Sequence, residues 1–325
     1  MEVSAGTAFI EALGGDVDRL LAAEPEVQAD ADDSVHQMRV ATRRLRSVLR
    51  SYRMLLRRDR AEEVGRELKW LAGLLGVARD AEVRGDRFAA LLAEHTDAAT
   101  EVAEIDTVTG KPAEDGNGHR VAAPLARPSD IEEITARLVT AERARYAGAH
   151  AQILAALAGE RYHRLRDTLV DWKSAPPLRP ARAAVPAPEF FRVVLQRDHE
   201  RIEAFIRAEP STAPDDRIET LHDIRKSAKR LRYSCEAAGE VLGAAATDLG
   251  KAAKHLQSVL GDHRDAIESR AVILERAAEA EAVGGNSGLY HRLADIEQQA
   301  ADHELEGYPD AARALTSHAP QPAGS

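Results

Sequence analysis

Val35-His36-Gln37-Met38-Arg39-Val40-Ala41-Thr42-Arg43-Arg44-Leu45-Arg46 returns, without gaps, as Leu221-His222-Asp223-Ile224-Arg225-Lys226-Ser227-Ala228-Lys229-Arg230-Leu231-Arg232. In this register the histidine, three arginines and the leucine are identical. At about 100° per residue, His36, Arg39, Arg43, Arg46 and Arg50 fall within an arc of about 80° on one helix face. His222, Arg225, Lys229 and Arg232 repeat that stripe, and Lys226 and Arg230 widen it. Met38, Ala41, Leu45, Leu49, Tyr52 and Leu56 in the first copy, and Ile224, Ala228, Leu231 and Cys235 in the second, supply the face that enters a core. Ser34 and Thr220 stand just before the copies as expected N-caps, which puts His36 and His222 in first turns where the helix dipole favours an anion.

The likeness continues outward from the stripes. Lys69-Trp70-Leu71, Leu75-Gly76 and Arg79-Asp80-Ala81 are echoed by Lys254-His255-Leu256, Leu260-Gly261 and Arg264-Asp265-Ala266. Upstream, Leu13 with Asp18-Arg19-Leu20 weakly matches Leu195 with Glu200-Arg201-Ile202. Landmarks in one order imply an internal duplication. Gly76 and Gly261 are expected to end helices, leaving Asp80 and Asp265 to cap the next helix or orient Arg79 and Arg264. Five prolines between Ser174 and Pro188 exclude helix there and mark a semi-rigid linker. The expected plan is a first half over 1–173, a linker over 174–188, a second half over 189–310 and a disordered tail over 311–325. A mobile insertion is expected at about 107–129, where Gly110, Pro112, Gly116, Gly118, Pro124 and Pro128 gather.

Composition agrees with an all-α chain: hydrophobic residues make up 44%, charged residues 30% and aromatics only 4%. Helices are expected at 7–23, 34–57, 60–75, 80–100, 130–157, 161–172, 189–208, 220–242, 246–260, 264–283 and 287–303, grouped as two antiparallel four-helix-type bundles. A single cysteine, Cys235, allows no internal disulfide, and no Cys/His spacing matches a structural zinc site. Met1 to Glu11 has no signal-peptide pattern, and no run approaches the roughly eighteen apolar residues of a membrane span. A cytoplasmic protein away from the membrane is expected, with no cofactor and no metal.

Charge placement is more informative than charge balance. The net charge is -10, which repels polyanions on bulk electrostatics. Yet from Arg39 to Arg60 the only acid is Asp59. Arg39/Arg43, Arg43/Arg46 and Arg46/Arg50 are helix neighbours that repel one another by a few tenths of a kcal/mol each. A solvated helix in an acidic protein would intersperse acids, so segregation points to an anion, and guanidinium forks suit phosphate oxygens. The opposing reading pairs each stripe with acidic helices of the same fold.

The pattern His-x-x-Arg-x-x-x-[Arg/Lys]-Arg-Leu-Arg, present twice and each time followed by Lys-x-Leu, Leu-Gly and Arg-Asp-Ala, resembles the CHAD family, the conserved-histidine α-helical domains. The resemblance spans about residues 5–305. It implies two helical bundles in pseudo-two-fold symmetry around a basic cleft or pore that binds inorganic polyphosphate, with association to polyphosphate granules. His36, Arg39, Arg43, Arg44 and Arg46 carry the first motif; His222, Arg225, Lys229, Arg230 and Arg232 carry the second. Arg50, Lys69, Arg79, Lys226, Lys254 and Arg264 complete the expected binding set. Some relatives are fused to a triphosphate-tunnel enzyme, whose Glu-x-Glu-x-Lys signature is absent here.

A non-catalytic polyphosphate binder is therefore the leading expectation. Single-stranded nucleic acid is the first alternative, since arginine stripes also track phosphodiesters, but Trp70 and Tyr52 read as packing groups rather than a stacking platform. A polyphosphate-processing enzyme is the second. Glu62/Glu63 and Glu132/Glu133 are adjacent on helices and diverge, and Gly284-Gly285 is an isolated turn signal rather than a phosphate loop.

Overall fold

A computed structural model describes the backbone of residues 3–109 and 128–318, and the side chains of 3–94 and 128–318. In chain order the helices are α1 (Ala5–Gln28), α2 (Ser34–Ser51), α3 (Arg58–Thr109), α4 (Pro128–Thr135), α5 (Ala141–Leu157), α6 (Glu160–Trp172), α7 (Pro180–Ala183), α8 (Ala187–Ala208), α9 (Pro214–Leu242), α10 (Ala244–Ala282), α11 (Gly288–Glu306) and α12 (Tyr308–Ser317). A π-helical turn, Ala136–Thr140, joins α4 to α5. Among the described residues extended pairing is limited to isolated bridges, so the chain is all-α as expected.

Several boundaries differ from expectation, each for a physical reason. The helices expected at 60–75 and 80–100 are one helix, α3, and those at 246–260 and 264–283 are one helix, α10. Gly76 and Gly261 do not end them; an interior glycine costs about 1 kcal/mol against alanine, which burial of the surrounding turns offsets. Asp80 and Asp265 are therefore mid-helix residues, not caps. Thr220 is no N-cap either, because α9 opens at Pro214, with Asp215 and Asp216 in its first turn. His222 thus lies well inside α9, and of the two histidines only His36 feels the dipole of a first turn. Ser34 is the first residue of α2, and the N-cap is Asp33, whose carboxylate accepts from the Gln37 amide at 2.7 Å.

The expected insertion at 107–129 lies outside the described residues except at its ends, which belong to α3 and α4. Residues 319–325 of the expected tail lie outside them as well. Its first part, by contrast, is the helix α12, which buries Ala311, Ala312 and Leu315. The proline-rich joint contains a helical turn, α7, and is tied to the chain at both ends. Arg57 donates its backbone N–H to Pro177 at 2.8 Å and Arg179 donates to Leu55 at 2.7 Å; Ala5 donates to Val185 at 2.7 Å and Ala187 to Val3 at 2.9 Å. Gly6 permits this docking: a Cβ there would lie 2.8 Å from the Cβ of Ala183.

The chain forms two compact units that cut across the sequence halves. The first comprises residues 1–76, 149–264 and 303–325; the second comprises 77–148 and 265–302. In the first, α1 packs on α2, α8 on α9, and the two pairs meet through α2 with α9 and α1 with α8. Phe9, Tyr52 and Phe191 form a buried aromatic row, with ring centroids 5.9 and 4.8 Å apart. In the second, Phe88, Leu92, Ile134, Leu138, Ile273, Ala277, Leu289 and Leu293 share a core. There the fully buried Glu297 takes a bidentate pair from Arg87 at 2.6 and 2.5 Å.

Candidate functional site

Both copies of the motif lie in the first unit, and the packing of α2 on α9 brings their stripes to one cavity of about 360 Å³. Arg43, Arg46 and Arg50 line it from α2; Lys226, Lys229 and Arg230 line it from α9; Arg201 joins from α8. The acid in its lining, Asp223, pairs with Lys226 at 2.5 Å. Among the described residues, Lys229, Arg46, Arg50 and Arg225 have no acidic partner within ion-pair distance, although acids outnumber bases along the chain.

Lys229 is the electrostatic centre. Burial, followed by Arg43, Arg225, Arg39 and Arg232, pushes its ammonium down to about 6. These charges come from both helices, and all of them act in the same direction. Burial and Arg50 likewise lower Arg46. The Arg225 Nε is buried without a hydrogen-bond partner among the described residues. Sites that gather like charge and leave buried donors open are destabilised unless an anion enters.

The repeated glycines have a role here that differs from the expected helix stop. A Cβ on Gly76 would lie 3.9 Å from the Arg39 Nε, and one on Gly261 would lie 3.4 Å from the Arg225 Nε. Each glycine lies beside the first arginine of a motif, with ordinary room for a Cβ at Gly76 and a tighter approach at Gly261. His222 also positions a cation. Arg264 donates to its Nδ1, and burial and Arg264 lower the imidazole below its ordinary value. A ring nitrogen that accepts from a guanidinium is neutral, so His222 orients Arg264. Proton gain by this histidine is correspondingly opposed near neutral pH.

Other members of the expected set are committed elsewhere. Arg44 pairs with the buried Asp16 at 2.5 Å and also with Glu236. Burial pushes the Asp16 carboxyl above its ordinary value, against the opposing pull of Arg44 and Arg19. Arg230, its counterpart in the second copy, pairs with the buried Asp198 at 2.8 Å. The same aspartate accepts from Ser51 at 2.7 Å and Ser234 at 2.8 Å. The second residue of the adjacent basic pair in each motif, Arg44 after Arg43 and Arg230 after Lys229, is thus an anchor to the preceding helix. Arg232 lies 3.0 Å from Glu236, donates to Gln257 at 3.1 Å and covers Tyr233. Lys69 and Lys254 are exposed on α3 and α10, and Arg79 belongs to the second unit, where it pairs with Glu82 at 2.8 Å.

Asp16, Asp198 and Arg201 were not singled out by sequence. A signal for the aspartates existed: they stand at the same offset from Leu13 and Leu195, inside the weak upstream echo. The candidate stacking groups are occupied. Tyr52 is fully buried and donates to the Ser234 carbonyl at 2.8 Å, and the Arg161 guanidinium covers Trp70 at 4.1 Å. Among the described residues no group of three His, Cys, Asp or Glu side chains is placed to hold a metal, and no helix is long and apolar enough to cross a membrane.

Comparison with known proteins fits this architecture. The structure is similar to PptA from Streptomyces chartreusis, with a TM-score of 0.69 at 19% identity over 95% of this chain and 99% of that one. It is also similar to the CHAD domain from the plant Ricinus communis, with a TM-score of 0.59 at 24% identity over 98% of this chain and 94% of that one. An uncharacterized protein of Mycobacterium tuberculosis, found in two strains, is 33% identical over 304 residues, which is 94% of this chain and 52% of the relative. The chain therefore spans about half the length of the curated relatives it matches. The CHAD domain family model matches residues 11–274, across both motifs, and the chain belongs to the CHAD domain family.

Proposed function

We propose that the chain binds inorganic polyphosphate, without catalysis, in the basic cavity between α2 and α9. The observation that carries this reading is the cavity itself: it collects Arg43, Arg46, Arg50, Arg201 and Lys229 in an acidic protein, and burial and like charge push the Lys229 ammonium down to about 6. A polyphosphate would supply the missing negative charge, restore the ammonium and satisfy the open guanidinium donors. Membership of a family associated with polyphosphate binding supports the choice of ligand.

In this reading the two motif copies face one another about a pseudo-two-fold axis and form one channel. His36, Arg39, Arg43, Arg46, Arg50, Arg225, Lys229 and Arg264 bind or steer the polymer, while Arg44, Arg230 and Arg232 hold the helices that present them. Lys69 and Lys254 act as peripheral cations. Nucleic acid is the weaker ligand, because Tyr52 and Trp70 are already occupied by packing and base stacking has no platform there. The acidic remainder of the surface opposes nonspecific association. Cytoplasmic polyphosphate granules are the corresponding location.

Calorimetric titration with long-chain polyphosphate and with single- and double-stranded nucleic acid, at matched phosphate and at low and physiological salt, tests the reading. Polyphosphate binding that survives physiological salt while nucleic acid fails is the expected result. Equal or stronger nucleic-acid binding would reassign the ligand, and absence of binding would return the stripes to a structural role.

A further inference from the structure

A second cavity, of about 550 Å³, adjoins the first and shares Arg46 and Arg50 with it. Arg53, Arg58 and Arg179 add to its basic lining, whereas its acid, Glu62, accepts from Arg58 at 2.7 Å. Among the described residues Arg53 and Arg179 have no acidic partner. Arg179 comes from the proline-rich joint, and the 2.7 Å hydrogen bond from its backbone N–H to Leu55 fixes it beside the end of α2. The joint therefore forms part of a wall as well as connecting the halves.

This extension exists in one copy only. In the register that pairs His36 with His222, Arg50 and Arg53 correspond to Glu236 and Gly239, and Met54 corresponds to Glu240. Glu236 is itself drawn to Arg44 and Arg232. A polyanion leaving the shared cavity along α9 meets carboxylates; one leaving along α2 meets guanidinium groups.

Resting on the polyphosphate reading, we propose that one linear polyphosphate continues from the α2/α9 cavity into this second cavity, and that Arg53 and Arg179 form a subsite that selects longer chains. A short polyphosphate fills the first cavity alone. A long one gains the second contact at the effective concentration set by its own chain, so its affinity rises without any change in the first site.

The test compares inorganic triphosphate with long-chain polyphosphate by calorimetry on the full chain. Arg53→Glu with Arg179→Glu is expected to lower long-chain affinity at least about tenfold while leaving triphosphate affinity within about twofold. The double variant R143E/R164E, at exposed positions and with the same change in net charge, is expected to alter neither. Gly65→Leu supplies an uncharged check: Gly65 lines the cavity, and a Cβ there meets no atom within 4 Å. It should reproduce the selective loss on long chains while keeping the wild-type unfolding midpoint or raising it. An unchanged ratio of long-chain to triphosphate affinity in both R53E/R179E and Gly65→Leu overturns the subsite, as does equal loss on both ligands. If Arg43→Glu still abolishes binding of both ligands in that case, the function reading stands and only the subsite falls. If wild-type protein binds neither ligand, both fall.

Discussion

The two copies of the motif share their lettering but not their surroundings. In α2 the stripe begins in the first turn, runs on through Arg50 and is followed, just past the helix end, by Arg53; in α9 it begins deep in the helix and gives way to Glu236 and Glu240. The anchor arginines differ in the same way. Arg230 sits in a network where Asp198 also holds Ser51 and Ser234, whereas Arg44 divides between Asp16 and Glu236. The two copies carry one pattern, yet hold the fold and present charge in unequal measure.

Removing the acids should expose that inequality most strongly. Asp198→Ala leaves Arg230 and two serines without their shared acceptor, and breaking a buried ion pair in this manner costs about 3–5 kcal/mol. Asp16→Ala should cost less, about 1–3 kcal/mol, because Glu236 remains for Arg44 and because burial already disfavours the ionised carboxylate. Urea unfolding of the two variants gives the comparison directly. Equal losses would mean that the anchors are equivalent and that the extra partners of Asp198 contribute nothing measurable.

The facing positions Arg43 and Lys229 differ by a titration. The unfolded lysine keeps its ordinary value of 10.5 and the folded one titrates near 6, so between those pH values the unfolded chain holds the extra proton. Wild-type stability should therefore rise with pH across that window, and Lys229→Met should flatten the rise. At neutral pH Lys229→Met is expected to stabilise the free protein by about 1 kcal/mol while lowering polyphosphate affinity at least about tenfold, the trade expected of a residue kept for binding. Arg230→Met should do the opposite for stability. Loss of stability in Lys229→Met would assign the lysine a structural role.

Binding adds a sign of its own. A bound polyphosphate would restore the Lys229 ammonium, so complex formation should take up a proton above about pH 6. Affinity should fall as pH rises from there and level off below it. Titration in buffers of different ionisation enthalpy measures the uptake, which Lys229→Arg should remove. Uptake that persists in Lys229→Arg would move the linkage to the phosphate or to His36.

The helical class and the one-sided clustering of basic residues could be read from sequence because each rests on local spacing: three-and-four intervals put His36, Arg39, Arg43 and Arg46 on one face whatever the tertiary context. What could not be read depends on partners far along the chain. Helix phase turns Arg44 about 100° away from Arg43 and the stripe, but nothing local says that Asp16 holds it while Arg43 lines the cavity. Gly76 and Gly261 looked like helix stops because the turn signal is the same letter as the close-approach signal. The halves of the repeat also suggested separate bundles, whereas α1 and α2 pack with α8 and α9 in one unit.

Those glycines offer the finest discrimination between the copies. In a helix interior, glycine to alanine gains up to about 1 kcal/mol if the new methyl has room. At Gly76 the nearest side-chain atom is 3.9 Å away, an ordinary contact, so Gly76→Ala should stabilise the protein and leave binding nearly intact. At Gly261 the methyl would meet the Arg225 guanidinium at 3.4 and 3.5 Å, the near edge of ordinary contact, so any tightening falls on the arginine. Gly261→Ala should keep less of the propensity gain and weaken polyphosphate binding by about threefold, through displacement of Arg225 rather than loss of charge. If both alanines behave alike in melting and in calorimetry, the close approach at Gly261 has no part in setting Arg225, and the glycine pair is left as a shared inheritance of two helices that no longer need it equally.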